Sequence, residues 1–285
     1  MVRIITDSTS DFSPARAQEL GIQVVPLQVH FGAECYRDGV DITNREFYEK
    51  LAASQELPTT SQVNPDQFAQ VFQACVDAGD EAVGLFISSK LSGTCQSAMI
   101  ARSMVDEERI FVVDSQTVTF ALNLLVEEAV SMRDQGASAR EIAARLEELS
   151  QRVRLLAVVD TLKYLKKGGR ISATAAVVGG MLGINPIIGL GLKEKGVVEC
   201  PAKARGKKAA FRWLTEEFRR VPPDPAYRVS FGHSDSPSAL AECRAAFQDL
   251  VDLDRVLVGD IGAVVGTHAG PGAAGIAYIA QADRR

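Results

Sequence analysis

No two cysteines in this chain stand close enough together to form a paired metal or redox motif. The five, at 35, 75, 95, 200 and 243, are scattered and odd in number. Scattered, odd-numbered thiols fit a reducing compartment and mostly apolar packing roles. Histidine is equally scarce, with three in 285 residues, so neither residue type offers a ligand set and no metal is expected. No unbroken apolar run approaches the ~20 residues of a membrane span. Even the uncharged stretch 171–192 is interrupted by Ser172, Thr174, Asn185 and Pro186. A surplus of positive charge is also missing, and a net charge of −5 argues against a general nucleic-acid binder. The opening residues, Met1-Val2-Arg3-Ile4-Ile5-Thr6-Asp7, lack the long apolar segment of a signal peptide. A cytoplasmic protein without integral membrane contact is the expectation. Neither a Gly-x-x-x-x-Gly-Lys-Ser/Thr phosphate loop nor a Gly-x-Ser-x-Gly elbow occurs, which disfavours ATP binding by the chain itself and α/β-hydrolase chemistry.

What is present is an ordinary globular composition. At 46% hydrophobic and 24% charged it is neither disordered nor fibrous. Short β-branched runs alternate with helical stretches through the first half. Residues 2–5, 22–31, 83–87 and 110–113 read as strands. Helices are expected from about Pro14, over 45–53 and 65–78, and from near Thr94. Apolar runs without strict alternation, separated by helices, predict a parallel sheet covered on both faces. After a helix over 139–152 the pattern changes. Residues 155–159, 197–199, 228–231, 255–258, 263–265 and 275–279 are strand candidates with fewer helices between them. The expected fold is α/β in two lobes: a doubly wound parallel-sheet lobe over 1–152 and a mixed-sheet α+β lobe over 153–285.

Three segments carry most of the chemistry: Pro58-Thr59-Thr60-Ser61-Gln62, Ser88-Ser89-Lys90-Leu91-Ser92-Gly93-Thr94, and Gly266-Thr267-His268-Ala269-Gly270-Pro271-Gly272. The second lies between a strand and a helix, where free backbone N–H groups face an anion and short hydroxyls add donors. Gly93 there permits close backbone approach. Helix caps and Asx-turns are the ordinary work of such residues, and they are the favoured reading of the loops at 6–11 and 114–116, with ligand contact as the alternative. His268 among three glycines is a candidate ligand contact, against the plainer alternative of a backbone-bonded turn residue. Lys163, Lys166, Lys167 and Arg170 suit a helix C-terminus capped at Gly168-Gly169. Lys203, Arg205, Lys207 and Lys208 flank a helix start, where positive charge is unfavourable and asks for an anionic partner. With no carboxylate pair nearby, the implied chemistry is holding a small acid. The same residues leave open a hydrolase or acyltransferase with Ser92 as nucleophile and His268 as its base.

Six segments, in order, resemble signatures of the DegV family. They are Thr6-Asp7-Ser8-Thr9-Ser10-Asp11, Pro58 to Gln62, Ser88 to Ala98, Asp160-Thr161-Leu162-Lys163-Tyr164-Leu165-Lys166-Lys167-Gly168-Gly169-Arg170-Ile171, Ala204-Arg205-Gly206-Lys207-Lys208-Ala209, and Gly266 to Ala273. The similarity covers a single DegV-type unit over about 3–281 and implies a two-lobed DegV-like fold. It further implies a non-enzymatic carrier similar to the FakB subunits of bacterial fatty-acid kinase. Such a subunit holds a long-chain fatty acid and presents its carboxylate to a FakA-like, ATP-dependent kinase subunit, which makes an acyl phosphate for phospholipid metabolism. No cofactor besides the bound fatty acid is implied. Matched by motif, the carboxylate meets Thr60, Ser92 and His268, with Ser61 and Gly93 beside them, while Arg170 and Arg205 face the approach or the kinase. Three positions depart from the family pattern: Cys95 replaces a common Tyr, Asn185 a usual Lys, and Val63-Asn64 a usual Pro-Ser.

Overall fold

The computed structural model describes residues 1–171 and 183–282. In the first half the strands are β1 (Val2–Asp7), β2 (Ile22–Val25), β3 (Gln28–Phe31), β4 (Glu34–Arg37), β5 (Thr59–Ser61), β6 (Glu81–Phe86) and β7 (Ile110–Asp114). Six helices accompany them: α1 (Pro14–Leu20), α2 (Asn44–Ala53), α3 (Pro65–Asp77), α4 (Thr94–Val105), α5 (Thr119–Asp134) and α6 (Ala139–Ser150). The second half contributes β8 (Val153–Val158), β9 (Ile184–Leu190), β10 (Glu199–Arg205), β11 (Ser230–His233), β12 (Leu257–Asp260) and β13 (Ala274–Ile279). Its helices are α7 (Lys163–Lys167), α8 (Lys207–Arg220), α9 (Pro237–Phe247) and α10 (Ala263–Ala269).

The first sheet, ordered β2-β1-β6-β7, is wholly parallel, as its unalternated apolar strands predict. The expected single strand over 22–31 is two. Pro26, which has no N–H for a ladder, falls between them, and the chain passes into a small antiparallel sheet ordered β4-β3-β5. The large second sheet, ordered β10-β9-β8-β13-β11-β12, is antiparallel except for the β11–β12 pair. The architecture is therefore two-lobed α/β, with an N-terminal parallel sheet and a C-terminal mixed sheet.

One expected strand, 263–265, is instead the first turn of α10. The cause is tertiary. Asp11 accepts the Gly262 N–H at 3.0 Å and Asp38 the Ala263 N–H at 3.2 Å, from 251 and 225 positions away. Two carboxylates thus cap amides that a helix leaves unpaired and overcome the local β-branched preference of Val264 and Val265. Lys203 and Arg205 belong to β10, while Lys207 and Lys208 open α8.

Helix α5 lies between the two large sheets, with ten buried residues around its circumference, the pattern of a helix enclosed on all sides. Phe120 fills the space over Gly232 of β11, where a Cβ would stand 2.1 Å from its ring. Glu127, only 7% exposed, receives Arg16 of α1 and Arg228 before β11, each at 2.8 Å. A carboxylate buried so deeply requires such partners, and this one ties the halves together. No helix among the described residues is long and apolar enough to cross a membrane.

Candidate functional site

The Ser/Thr/Asp loops at the carboxyl ends of β1, β6 and β7 do different work. Asp7 accepts the Thr9 N–H at 2.9 Å, the Thr9 hydroxyl at 2.5 Å and the Ile87 N–H at 2.8 Å. Burial nevertheless raises its pKa to about 6. Asp114 accepts the Ser89 hydroxyl at 2.5 Å and the Gln116 N–H at 3.0 Å. Both are turn-forming carboxylates. The middle loop is pinned by Ser88, whose hydroxyl donates to the Gly196 carbonyl at 2.9 Å. It turns Leu91, Ser92 and Gly93 toward a cavity.

That cavity, of about 340 Å³, lies between the lobes, within the range of roughly 300–1,000 Å³ common for ligand pockets. Leu27, Ile87, Val118 and Phe120 wall it on one side and Leu155, Ile188, Leu190 and Val198 on the other, with Ile261, Val264 and Val265 completing it. Thr60, Arg170 and His268 border both this cavity and a second hollow of about 210 Å³. The second hollow is lined by Pro58, Thr59, Tyr164 and Lys167 among others, and Thr59 and Lys167 are exposed. The three shared residues therefore stand between an apolar chamber and a vestibule bordered by exposed residues.

Strand β5 presents Thr60 to one side, where its Oγ1 lies 2.9 Å from His268 Nε2. His268 is carried in the last turn of α10 rather than in a loop. Burial, aided by the Arg170 charge, lowers its pKa to about 4, so the ring is neutral at pH 7 with one donor nitrogen and one acceptor. Alternation along β5 sends Ser61 the other way. Its hydroxyl is 2.9 Å from His30 Nε2 and donates to Gln28 at 3.2 Å, although the residue still forms part of the cavity wall. Ser92 Oγ is 2.9 Å from Thr94 Oγ1 and accepts the Thr94 N–H at 3.3 Å. The Ser92–His268 hydrogen bond of a nucleophile–base pair is absent among the described residues, so the hydrolase alternative is not favoured.

Arg170 ties the cavity loop to α7, donating to the Leu91 carbonyl at 3.1 Å and to the Gly168 carbonyl at 2.7 Å. Arg205, exposed on β10, borders neither hollow. Its neighbour Lys207 pairs with Asp160 at 3.2 Å, and Asn185 donates to the same carboxylate at 3.4 Å. The αL cap after α7 is Gly169, with φ +68°, not Gly168. Gln62 was not singled out from the sequence. It donates to Ser97 at 3.0 Å, and a Cβ on Gly93 would lie 2.1 Å from its Oε1. Gly93 thus makes room for a side chain, and the place of Gln62 two residues after Thr60, just past the end of β5, is the available signal.

The DegV family model, described as "Uncharacterised protein, DegV family", matches residues 1–281. A DegV domain-containing protein from Caldanaerobacter subterraneus is 39% identical over 278 residues, covering 97% of this chain and 98% of the relative. Another, from Deinococcus radiodurans, is 38% identical over 283 residues, covering 97% of each. Among solved structures, the fatty-acid-binding DegV family protein of Thermus thermophilus superposes with a TM-score of 0.88 at 33% identity, covering 98% of this chain and 99% of that one. The stearic acid-binding protein of Eubacterium ventriosum gives 0.84 at 30% identity, covering 98% of both. With its two-lobed architecture and nearly its whole length matched, the chain belongs to the DegV family.

Proposed function

We propose that this protein binds a long-chain fatty acid with its tail in the 340 Å³ cavity and its carboxylate at Thr60, Ser92 and His268, beside Ser61 and Gly93. The observation that carries this reading is an apolar chamber ending at a neutral Thr60–His268 pair. Structures of DegV relatives described as binding fatty acids support it. Burying a tail contributes ~0.8 kcal/mol per methylene, so ten or more methylenes dominate affinity. The headgroup needs only enough charge-assisted bonds to offset desolvation. If His268 donates through Nε2 to Thr60 Oγ1, the threonine hydroxyl is free to donate into the chamber.

The finer proposal is a carrier subunit in the cytoplasm that presents this carboxylate, through the vestibule beside Arg170, to a FakA-like kinase that makes the acyl phosphate. Arg205 would then serve the kinase surface and not the acid. Native mass spectrometry of purified protein tests the binding step: a co-purifying long-chain fatty acid is expected, and a protein that neither retains nor takes up one would contradict it. Acyl-phosphate formation on mixing the loaded protein with ATP and the kinase tests the second step.

A further inference from the structure

Gly168 ends α7 with φ −76° and ψ −10°, a conformation open to any residue, so backbone freedom does not explain a glycine there. Space does. A Cβ at 168 would lie 2.2 Å from Nδ1 of His268 and 3.0 Å from its Cε1, so the imidazole occupies the notch that the missing side chain leaves. The contact is reciprocated. A Cβ on Gly270, just past α10, would lie 2.2 Å from Cδ2 of Tyr164 on α7. The two helices therefore interlock, each placing a ring in the other's glycine notch. On its far side His268 meets Thr60 through Nε2 at 2.9 Å, while Nδ1 has no hydrogen-bond partner among the described residues. A histidine oriented from both nitrogens would keep its pose by polar contacts alone. This ring has one such contact, and packing on Gly168 supplies the second support.

We propose that Gly168 is a positioning residue for His268: by leaving its notch open it lets the imidazole aim Nε2 at Thr60. The consequence for the headgroup rests on the fatty-acid reading of the cavity, whereas the orientation of the ring does not.

The test compares Gly168→Ala, His268→Ala, the double variant and Gly169→Ala. Affinity is measured by displacement of a fluorescent fatty acid, melting temperature on the same samples, and His268 imidazole signals by ¹⁵N-histidine NMR without ligand. Gly168→Ala should shift the His268 signals and weaken binding by an order of tenfold, about as much as His268→Ala. The double variant should bind no worse than His268→Ala and regain the melting temperature lost by Gly168→Ala, because removal of the ring reopens the space. Gly169, at φ +68° with nothing among the described residues within 4 Å of its Cβ position, serves as the control. Its alanine variant should lose stability through backbone strain while binding normally. Unmoved His268 signals in Gly168→Ala, or losses that multiply in the double variant, would overturn the proposal. If Gly168→Ala does not fold, the double variant decides: recovery of a folded protein supports the notch, and failure to recover refutes it. Full affinity in His268→Ala alongside shifted signals in Gly168→Ala would instead sink the headgroup reading and leave the positioning role standing.

Discussion

Thr60 Oγ1 and His268 Nε2 lie 2.9 Å apart although 208 positions separate them. Their meeting joins the small antiparallel sheet to α10 and places two uncharged polar groups at the end of an apolar chamber. If these groups and Ser92 hold the carboxylate, Thr60→Val and Ser92→Ala should each weaken binding by roughly 1–2 kcal/mol, the worth of one charge-assisted bond. Displacement of a fluorescent fatty acid reads the loss. Wild-type affinity in both variants, with melting temperatures unchanged, would remove them from the site.

Part of this candidate site was legible because the segments around Thr60 and Ser92 are a strand and a strand-to-helix loop whose local pattern is strong. The parallel sheet followed from apolar runs such as 83–87, whereas the hydroxyl- and glycine-rich motifs marked only the segments 58–62, 88–94 and 266–272, and the DegV resemblance implied Thr60, Ser92 and His268 within them. What was not legible depends on distant partners. Val264 and Val265 favour strand locally, and only Asp11 and Asp38, brought from the far end of the chain, make their segment a helix. Gln62 shows in the sequence only as the end of the segment 58–62, and Gly168 only as part of a helix cap, for the same reason: each matters through a residue that folding brings against it. Ser61 is the opposite case. Its period-two relation to Thr60 on a strand already places its hydroxyl on the other face, where His30 and Gln28 take it.

Gly93→Ala tests whether the loop glycine serves Gln62. The backbone at Gly93, with φ −73°, accepts alanine, but the added Cβ would displace the Gln62 amide and break its bond to Ser97. A loss of about 1 kcal/mol in stability is expected, with weaker ligand binding as the cavity wall shifts. In a Gln62→Ala background the same substitution should cost almost nothing. Equal losses in both backgrounds, compared by urea denaturation and ligand displacement, would show that the glycine acts on something else.

The carboxylates capping α10 make stability depend on pH in a predictable direction. Burial raises the pKa of Asp38 from 3.8 to about 6, against hydrogen bonds from Ser8, Ala263 and Val264. A group that binds its proton more tightly when folded makes the unfolding free energy fall as pH rises from about 4 to about 6. Asp7 acts in the same sense. His268, lowered from 6.5 to about 4, acts in the opposite one, its contribution growing as pH rises from about 4 to 6.5. The Asp38 share emerges by difference. Asparagine keeps an acceptor for the Ala263 N–H but does not ionise, so the stability of Asp38→Asn relative to wild type should climb between pH 4 and 6 and level off above. The climb is on the order of 3 kcal/mol at most. Urea denaturation at intervals across that range measures it, and a difference that stays flat would mean Asp38 is not buried in ionised form.

The two arginines implied by the family resemblance should separate in their effects. Arg170 bonds to the carbonyls of Leu91 and Gly168, so it holds the Ser92-bearing loop against α7 at the chamber's polar end. Arg170→Ala should therefore weaken fatty-acid binding several-fold and lower the melting temperature, since two carbonyl bonds and a loop constraint are lost together. Arg205 is exposed on β10 and borders neither hollow, so Arg205→Ala should leave both quantities within experimental error. If Arg205 meets the kinase, its variant should instead slow acyl-phosphate formation when the loaded protein is mixed with ATP and a FakA-like subunit. The ratio of wild-type to variant rate should narrow as salt rises, because exposed charge pairs are screened over ~8 Å at physiological ionic strength. A salt-independent defect would point to a packed contact, not to charge steering. Full turnover from a stable Arg205→Ala protein at low salt would end the docking role for this residue.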